Sequence, residues 1–502
     1  MKDRVQSLLP LSSLIACISL ILVQNPNAQT FTTLYGFANA NDGANPYGII
    51  LSGKTLYGTA TFGGRAGNGA VFAINSDGSG FTNLHSFAAT NGISGGNSDG
   101  VEPNGLVLSG KTLYGTATLG GASGNGVVFA VNVDGTGFTN LHSFTALDAA
   151  TATTNSDGAY PYAGLVLSAN VLYGTTQGGG LFGNGAVFLV NIDGTGFTNL
   201  HSFTALDAAT ATTNGDGANP YAGLILSDNV LYGTTQAGGL LGDGTVFAIK
   251  ADGTGFTNLH SFTALDAATD TTNSDGANPY AGLILSGKTL YGTAYYGGSS
   301  GNGTVFAVDT DGTGFTNLHS FTDLDTATST TNSDGANPYG GLTLSGRTLY
   351  GTAYDGGSSG NGTVFAVNTD GTAFMTLHSF TALDAATGTF NSDGANPSAG
   401  LILSGGNTLA GTAFNGGSAG NGTMFIILLP PPQLTALSLE TTLVLMWPTN
   451  ATGFALESST NLAAQQIWTT VSTAPGLVNG QNAVTNAISG PQQFFRLSQK
   501  AI

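Results

Sequence analysis

Cysteine is almost missing from this chain of 502 residues; the only one is Cys17. That excludes a disulfide framework and a metal site built on thiolates. Charge is scarce as well. Lys and Arg together number 10 against 28 Asp and Glu, the net charge is −18, and charged residues make up only 8% of the chain. So few cations exclude a nucleic-acid binder, whose phosphate contacts need Lys and Arg. They equally exclude adhesion to an anionic membrane surface. Beyond the first 28 residues, no apolar run is long enough to span a membrane.

Glycine is abundant, at 78 residues, alongside many β-branched and aromatic residues. This composition suits short strands joined by tight turns and does not suit helices. The tetrad Leu56-Tyr57-Gly58-Thr59 recurs from Leu113, Leu172, Leu231, Leu290 and Leu349 and ends as Leu409-Ala410-Gly411-Thr412, in steps of 57 to 60 residues. A period this regular decides the architecture before any single residue is considered. It also implies that a unique site lies where the repeats differ.

One unit reads as four strands: Gly164–Ser168, Val171–Thr176, Ala186–Asn191 and Phe197–Phe203. A Gly-rich loop separates the second and third, and the Asp193-Gly194 turn separates the third and fourth. The connector Thr204–Pro220 follows, and its Thr204 and Asp207 predict a capping box for one helical turn. The last unit lacks a fourth strand, whereas the chain opens with a segment, Phe31–Phe37, that matches one. The expected fold is therefore all-β, a seven-bladed β-propeller over residues 31–428 closed by the N-terminal strand. Residues 429–433 form a Pro-rich linker, and residues 434–502 a small β-sandwich-like domain that carries both tryptophans.

The Leu-Tyr-Gly-Thr, Gly-Gly-x-x-Gly-Asn-Gly-x-Val-Phe and Phe-Thr-Asn-Leu-His-Ser-Phe segments recur in that order. Together they resemble the bacterial GloVer tandem repeat of choice-of-anchor proteins. The resemblance implies an exported protein, often with a C-terminal sorting anchor, and carries no established activity. This chain departs from the anchored pattern, since no apolar span followed by basic residues comes after Gln433.

Residues 1–28 read as a signal peptide. Lys2 and Arg4 precede an apolar stretch from Leu8 to Val23, and cleavage is expected after Ala28. Leu14-Ile15-Ala16-Cys17 resembles a lipobox, so lipid anchoring through Cys17 is the alternative to secretion; the apolar run continuing past the cysteine argues against it. The expected product is a monomer, secreted or at the cell surface, partnered by a glycan or an extracellular protein.

Charge divides unevenly between the two sets of loops. The face carrying the connectors and the loops between second and third strands holds 17 acids and one cation, Arg65; the opposite face holds 8 acids and 5 cations. The six histidines all occupy one position of the fourth strand and read as packing. The Gly-rich loops lack a P-loop ending and read as turns. The Asn-x-Asp-Gly segments offer oxygens that would suit Ca²⁺, although their ordinary role is turn formation, and no cofactor is expected. The ligand-binding candidates are tyrosines entering the innermost strands: Tyr47, Tyr162, Tyr221, Tyr280 and Tyr339, replaced by Asn104 and Ser398 in two units. Their rings are expected to encircle the mouth of a central channel and hold a neutral ligand such as a sugar. Glu102, Asp270, Asp323 and Asp355 break the repeat pattern. They are the candidates for the alternative function, hydrolysis or lysis of a polysaccharide by paired carboxylates.

Overall fold

The computed structural model describes residues 29–499 apart from 39–40, 92–94, 270, 406, 431, 440–441, 449–453, 462–466, 479–480 and 488–491. The expected signal segment with Cys17, and the candidate Asp270, lie outside the described residues. Among the described residues there is no helix and every element is a strand.

Each repeat forms one four-stranded antiparallel sheet. In the third, Val166–Ser168, Val171–Thr176, Ala186–Asn191 and Thr198–Ser202 pair in chain order. The third strand, Ala-Val-Phe-Leu-Val-Asn, is a continuous apolar run because both of its faces are covered. The fourth strand is only half-buried. The tetrad glycine is set by packing. A Cβ on Gly174 would lie 2.6 Å from Cζ of Phe188 and 2.8 Å from Cδ2 of Leu165. The glycine therefore leaves room for the third-strand phenylalanine that fills the middle of each sheet interface. The tetrad threonine ties neighbouring units together: Thr116, Thr175, Thr234 and Thr352 donate to the carbonyls of Ala163, Ala222, Ala281 and Ala399 in the next unit.

Among the described residues, seven such sheets follow one another along the repeats. An apolar cluster joins each successive pair; for example, Tyr173, Val187 and Phe203 of one unit pack on Leu224, Leu231 and Phe247 of the next. The same arrangement recurs down the chain. A seventh cluster sets Phe37, Ile49, Leu56 and Phe72 against Ala410 and Met424, so the last sheet packs on the first. The arrangement is propeller-like. The N-terminal strand Thr30–Gly36 supplies the fourth strand of the last sheet by pairing with Thr423–Leu428.

Two sequence expectations change. The connector forms no capping box on Thr204, which is engaged by Asp216. Its single turn starts at Asp207 instead: Asp207 Oδ1 accepts from the amides of Ala209 and Thr210, and the Asp207 carbonyl accepts from the Ala211 amide at 2.7 Å. The histidines also do more than pack. His201 Nε2 donates to Asp216 at 2.9 Å, while the amide and hydroxyl of Thr204 donate to the same carboxylate. The His201 ring stacks on Phe256 of the next unit at 4.1 Å. This clasp recurs at His85, His142, His260, His319 and His378. In the first copy Tyr35 replaces the histidine and donates to Asp42 at 2.8 Å.

The C-terminal residues form two further sheets, one of four strands and one of three. Both contribute to a single core of Leu445, Trp447, Leu456 and Val484. Trp447 is buried there, whereas Trp468 carries the Arg496 guanidinium 4.3 Å above its ring.

Candidate functional site

The local chain geometry at the entrance to each innermost strand repeats seven times. The residue before the proline (Asn45, Glu102, Tyr160, Asn219, Asn278, Asn337 and Asn396) is left-handed in every unit, with φ between 53° and 62°. Asparagine tolerates this conformation, and here it has a second use. Asn219 Nδ2 donates to the Gln177 carbonyl of the previous unit at 3.0 Å, and Asn45, Asn278, Asn337 and Asn396 make the same bond. Glu102 and Tyr160 hold the strained conformation without that reward. A carboxylate has no hydrogen to donate, so Glu102 cannot bridge to Thr61.

Next to this ring lie the candidate tyrosines. They meet across the axis instead of encircling an open channel. Tyr162 stacks on Tyr221 at 4.4 Å and Tyr280 stacks on Tyr339 at 5.2 Å. Tyr221 also contacts Tyr339, two units away, edge-on at 6.0 Å, with their hydroxyls in hydrogen-bonding reach. The reason is geometric, because the side chains point inward from a ring too small to keep them apart. Tyr280 receives a hydrogen bond of 2.5 Å from Gln236 Nε2.

The tyrosines divide the axis into two cavities. The outer one, of about 330 Å³, is lined by Tyr47, Tyr162, Tyr221 and Tyr339 together with Glu102, Asn104 and Ser398. The inner one, of about 260 Å³, lies among glycine and alanine backbones, with Tyr280 on its wall; Tyr47, Tyr221, Tyr339 and Ser398 border both. Burial pushes the Tyr47 hydroxyl up to about 12 and raises Tyr221 and Tyr339 further, so these rings act as neutral phenols.

A second ring completes the outer cavity and was missed in the sequence. Two residues after the tetrad threonine stand Thr61, Thr118, Gln177, Gln236, Tyr295, Tyr354 and Phe414. Of these, Thr61, Thr118, Tyr295, Tyr354 and Phe414 line the cavity. The available signal was variability, since this position changes from unit to unit although the tetrad threonine two residues before it is constant.

The acidic face resolves into parts. Asp42 and six connector aspartates belong to the tyrosine or histidine clasps, and five more cap the connector turns. Asp243 accepts the Leu265 amide. What remains is Glu102, Asp270, Asp323 and Asp355. Glu102 lines the cavity, and its carboxyl makes no hydrogen bond or ion pair among the described residues. Burial raises its pKa. Asp355 follows Tyr354 and meets only Asn396 Nδ2, at 3.4 Å; burial pushes it up to about 6. Asp323 is exposed in its connector and is not among the lining residues. Asn104, at a tyrosine position, is held by Thr118 Oγ1 and the Pro161 carbonyl. Ser398, the other replacement, is 6% exposed, and its hydroxyl has no partner.

The Asn-x-Asp-Gly oxygens are turned inward. Asn155 Oδ1 accepts from the Gly158 and Gly180 amides, and Asp157 accepts from His142 and Thr145. Among the described residues, no group of three or more His, Cys, Asp or Glu is placed to hold a metal ion.

Glu102 gives a direct test of the strained ring. Glu102→Asn restores both the tolerant residue and the missing inter-unit bond. It is expected to stabilise the fold by about 1 kcal/mol, measured by denaturant unfolding; a loss of stability would contradict this account of the ring.

A family model described as the Gloeobacter/Verrucomicrobia repeat matches residues 21–215 and 208–425. No curated protein matches the chain. Among solved structures, the Niastella koreensis GH74 enzyme is 14% identical with a TM-score of 0.47, covering 84% of this chain and 59% of that one. An oligogalacturonate lyase in complex with manganese is 11% identical with a TM-score of 0.43, covering 80% and 97%. A putative 6-phosphogluconolactonase from Bacteroides uniformis is 14% identical with a TM-score of 0.41, covering 88% and 98%.

Proposed function

We propose that this chain, which belongs to the Gloeobacter/Verrucomicrobia repeat family, is an exported seven-bladed β-propeller that binds a ligand at the tyrosine-lined mouth of its axis. The carrying observation is that the outer cavity is built from the positions at which the repeats differ. Residues that only build the repeat would be alike in every unit. The mouth instead combines Tyr162, Tyr221, Tyr339 and Tyr354 with the replacements Glu102, Asn104 and Ser398. Aromatic rings beside amide, hydroxyl and carboxyl groups suit a sugar-sized ligand, and 330 Å³ is the scale of a small-molecule site. The protein acts in this reading as a monomeric interaction scaffold outside the cell or on its surface. Residues 31–428 form the propeller and residues 434–502 a separate β-sandwich-like module.

The test is a glycan array read with the whole chain and with Tyr221→Ala and Tyr339→Ala. Binding is expected for the parent and a loss of at least about tenfold for either variant. The reading fails if no glycan or other small ligand binds, or if both variants bind as the parent does.

One observation favours a second reading. Glu102 and Asp355 are both desolvated carboxyls at or beside the mouth, as a general acid requires. If the protein is a hydrolase or lyase, a bound polysaccharide is shortened during incubation and Glu102→Gln stops the cleavage.

A further inference from the structure

We propose that the mouth recognises a positively charged nitrogen, an ammonium or quaternary ammonium group seated among the tyrosines beside Glu102. This specificity rests on the reading of the mouth as a binding site. The lining contains several aromatic rings and a carboxylate but no Lys or Arg. Tyrosine faces attract a cation through the ring quadrupole, more strongly where water is excluded. Glu102 is a half-buried acid with no ion pair among the described residues, and Asp355, next to Tyr354 in the chain, has a single long hydrogen bond, from Asn396. A neutral sugar would satisfy the hydrogen-bonding capacity of these oxygens but leave their charge uncompensated. A cation compensates the charge, and an ammonium bearing N–H groups donates hydrogen bonds as well.

Three further observations agree. Ser398, almost wholly buried at the border of the cavity, has an unpartnered hydroxyl, an acceptor or donor left free for a ligand. Glu102 occupies a backbone position that asparagine fills in five units, so its carboxylate is kept at a conformational cost. The face on which the mouth opens has one cation among its loops, Arg65, and the chain carries a net charge of −18, a field that draws cations toward it.

The test uses choline and its uncharged isostere 3,3-dimethylbutanol, titrated against the whole chain by calorimetry, alongside a panel of neutral oligosaccharides. Choline is expected to bind at least about tenfold more tightly than the isostere. Glu102→Gln, checked by melting to be folded, is expected to remove about that tenfold for choline alone, whereas Tyr221→Ala weakens both ligands. Equal affinity for choline and the isostere, or no effect of Glu102→Gln, overturns the proposal. If neutral oligosaccharides bind and choline does not, the charge specificity falls while the binding function stands. If nothing binds, both fall.

Discussion

A chain beginning at residue 38 is expected to lose its soluble folded state, and a synthetic peptide of residues 29–38 is expected to restore it. The strand Thr30–Gly36 pairs along its length with Thr423–Leu428, from Thr30 opposite Leu428 to Gly36 opposite Thr423. Without it, the last sheet shows an unpaired edge, which invites association with other chains. The core suffers as well. Phe31 stacks on His378 at 3.8 Å and on Phe425 at 5.2 Å, and Phe37 packs edge-on against Phe72 at 5.3 Å. The first of these contacts joins the sixth sheet to the seventh, and the last joins the seventh to the first, so one strand secures two interfaces. Phe31→Ala is the graded version, expected to cost roughly 2–3 kcal/mol because the ring is half-buried. A truncated chain that stays monomeric with an unchanged melting temperature would mean that the ring does not depend on this strand.

The protein is expected to lose stability steeply in acid, and the clasps are the reason. In the fourth clasp Asp275 accepts from His260 Nε2 at 2.9 Å and from the amide and hydroxyl of Thr263. His260 in turn stacks on Phe315 of the next unit at 3.8 Å. One carboxylate thus holds the end of a strand, a connector and, through the ring, the neighbouring sheet. Burial pushes the Asp157, Asp216, Asp275, Asp334 and Asp393 carboxyls up, but the bonds from histidine and threonine outweigh it, and all five lie below the ordinary carboxylate range. A carboxyl whose pKa is lower in the folded than in the unfolded state stabilises the fold above the unfolded value, near about 4. That stabilisation is lost as the pH falls through the folded value. Five such groups acting together predict a melting temperature that is level near neutrality and drops sharply below pH of about 4. Asp275→Ala, which leaves three donors without their acceptor, is expected to cost about 3 kcal/mol at neutral pH and to make the acid transition shallower. A melting temperature that stays level down to pH of about 2.5 would rule out the clasps as the acid-sensitive element.

Local chemistry made the repeat legible. The alternation of glycine turns with β-branched and aromatic runs marks four strands per unit, and Asp193-Gly194 marks a hairpin because Gly194 takes a φ of 82° that other residues resist. The fit between the surplus strand at Phe31 and the missing strand after Leu428 followed from counting. The four pattern-breaking acids were also visible, and two of them, Glu102 and Asp355, lie at or beside the mouth.

Other features could not be read from the chain. His201 and Asp216 are 15 residues apart across an irregular connector, and no periodicity announces their bond. The strain at Glu102 depends on a left-handed backbone that the sequence shows only as an acid before a proline. The variable ring from Thr61 to Phe414 was hidden beside the most regular motif of the chain.

The sequence alone therefore determined the strand pattern, the number of repeats and the way the ends complement each other, since these depend on residue chemistry within a few positions and on counting. Only the tertiary structure decided that Tyr221 meets Tyr339 across the axis, that the tyrosines close the channel, and that Glu102 stands without a partner at its mouth. Those contacts join residues one, two or more repeats apart, and they form only when the last sheet packs on the first and brings every unit to a common axis.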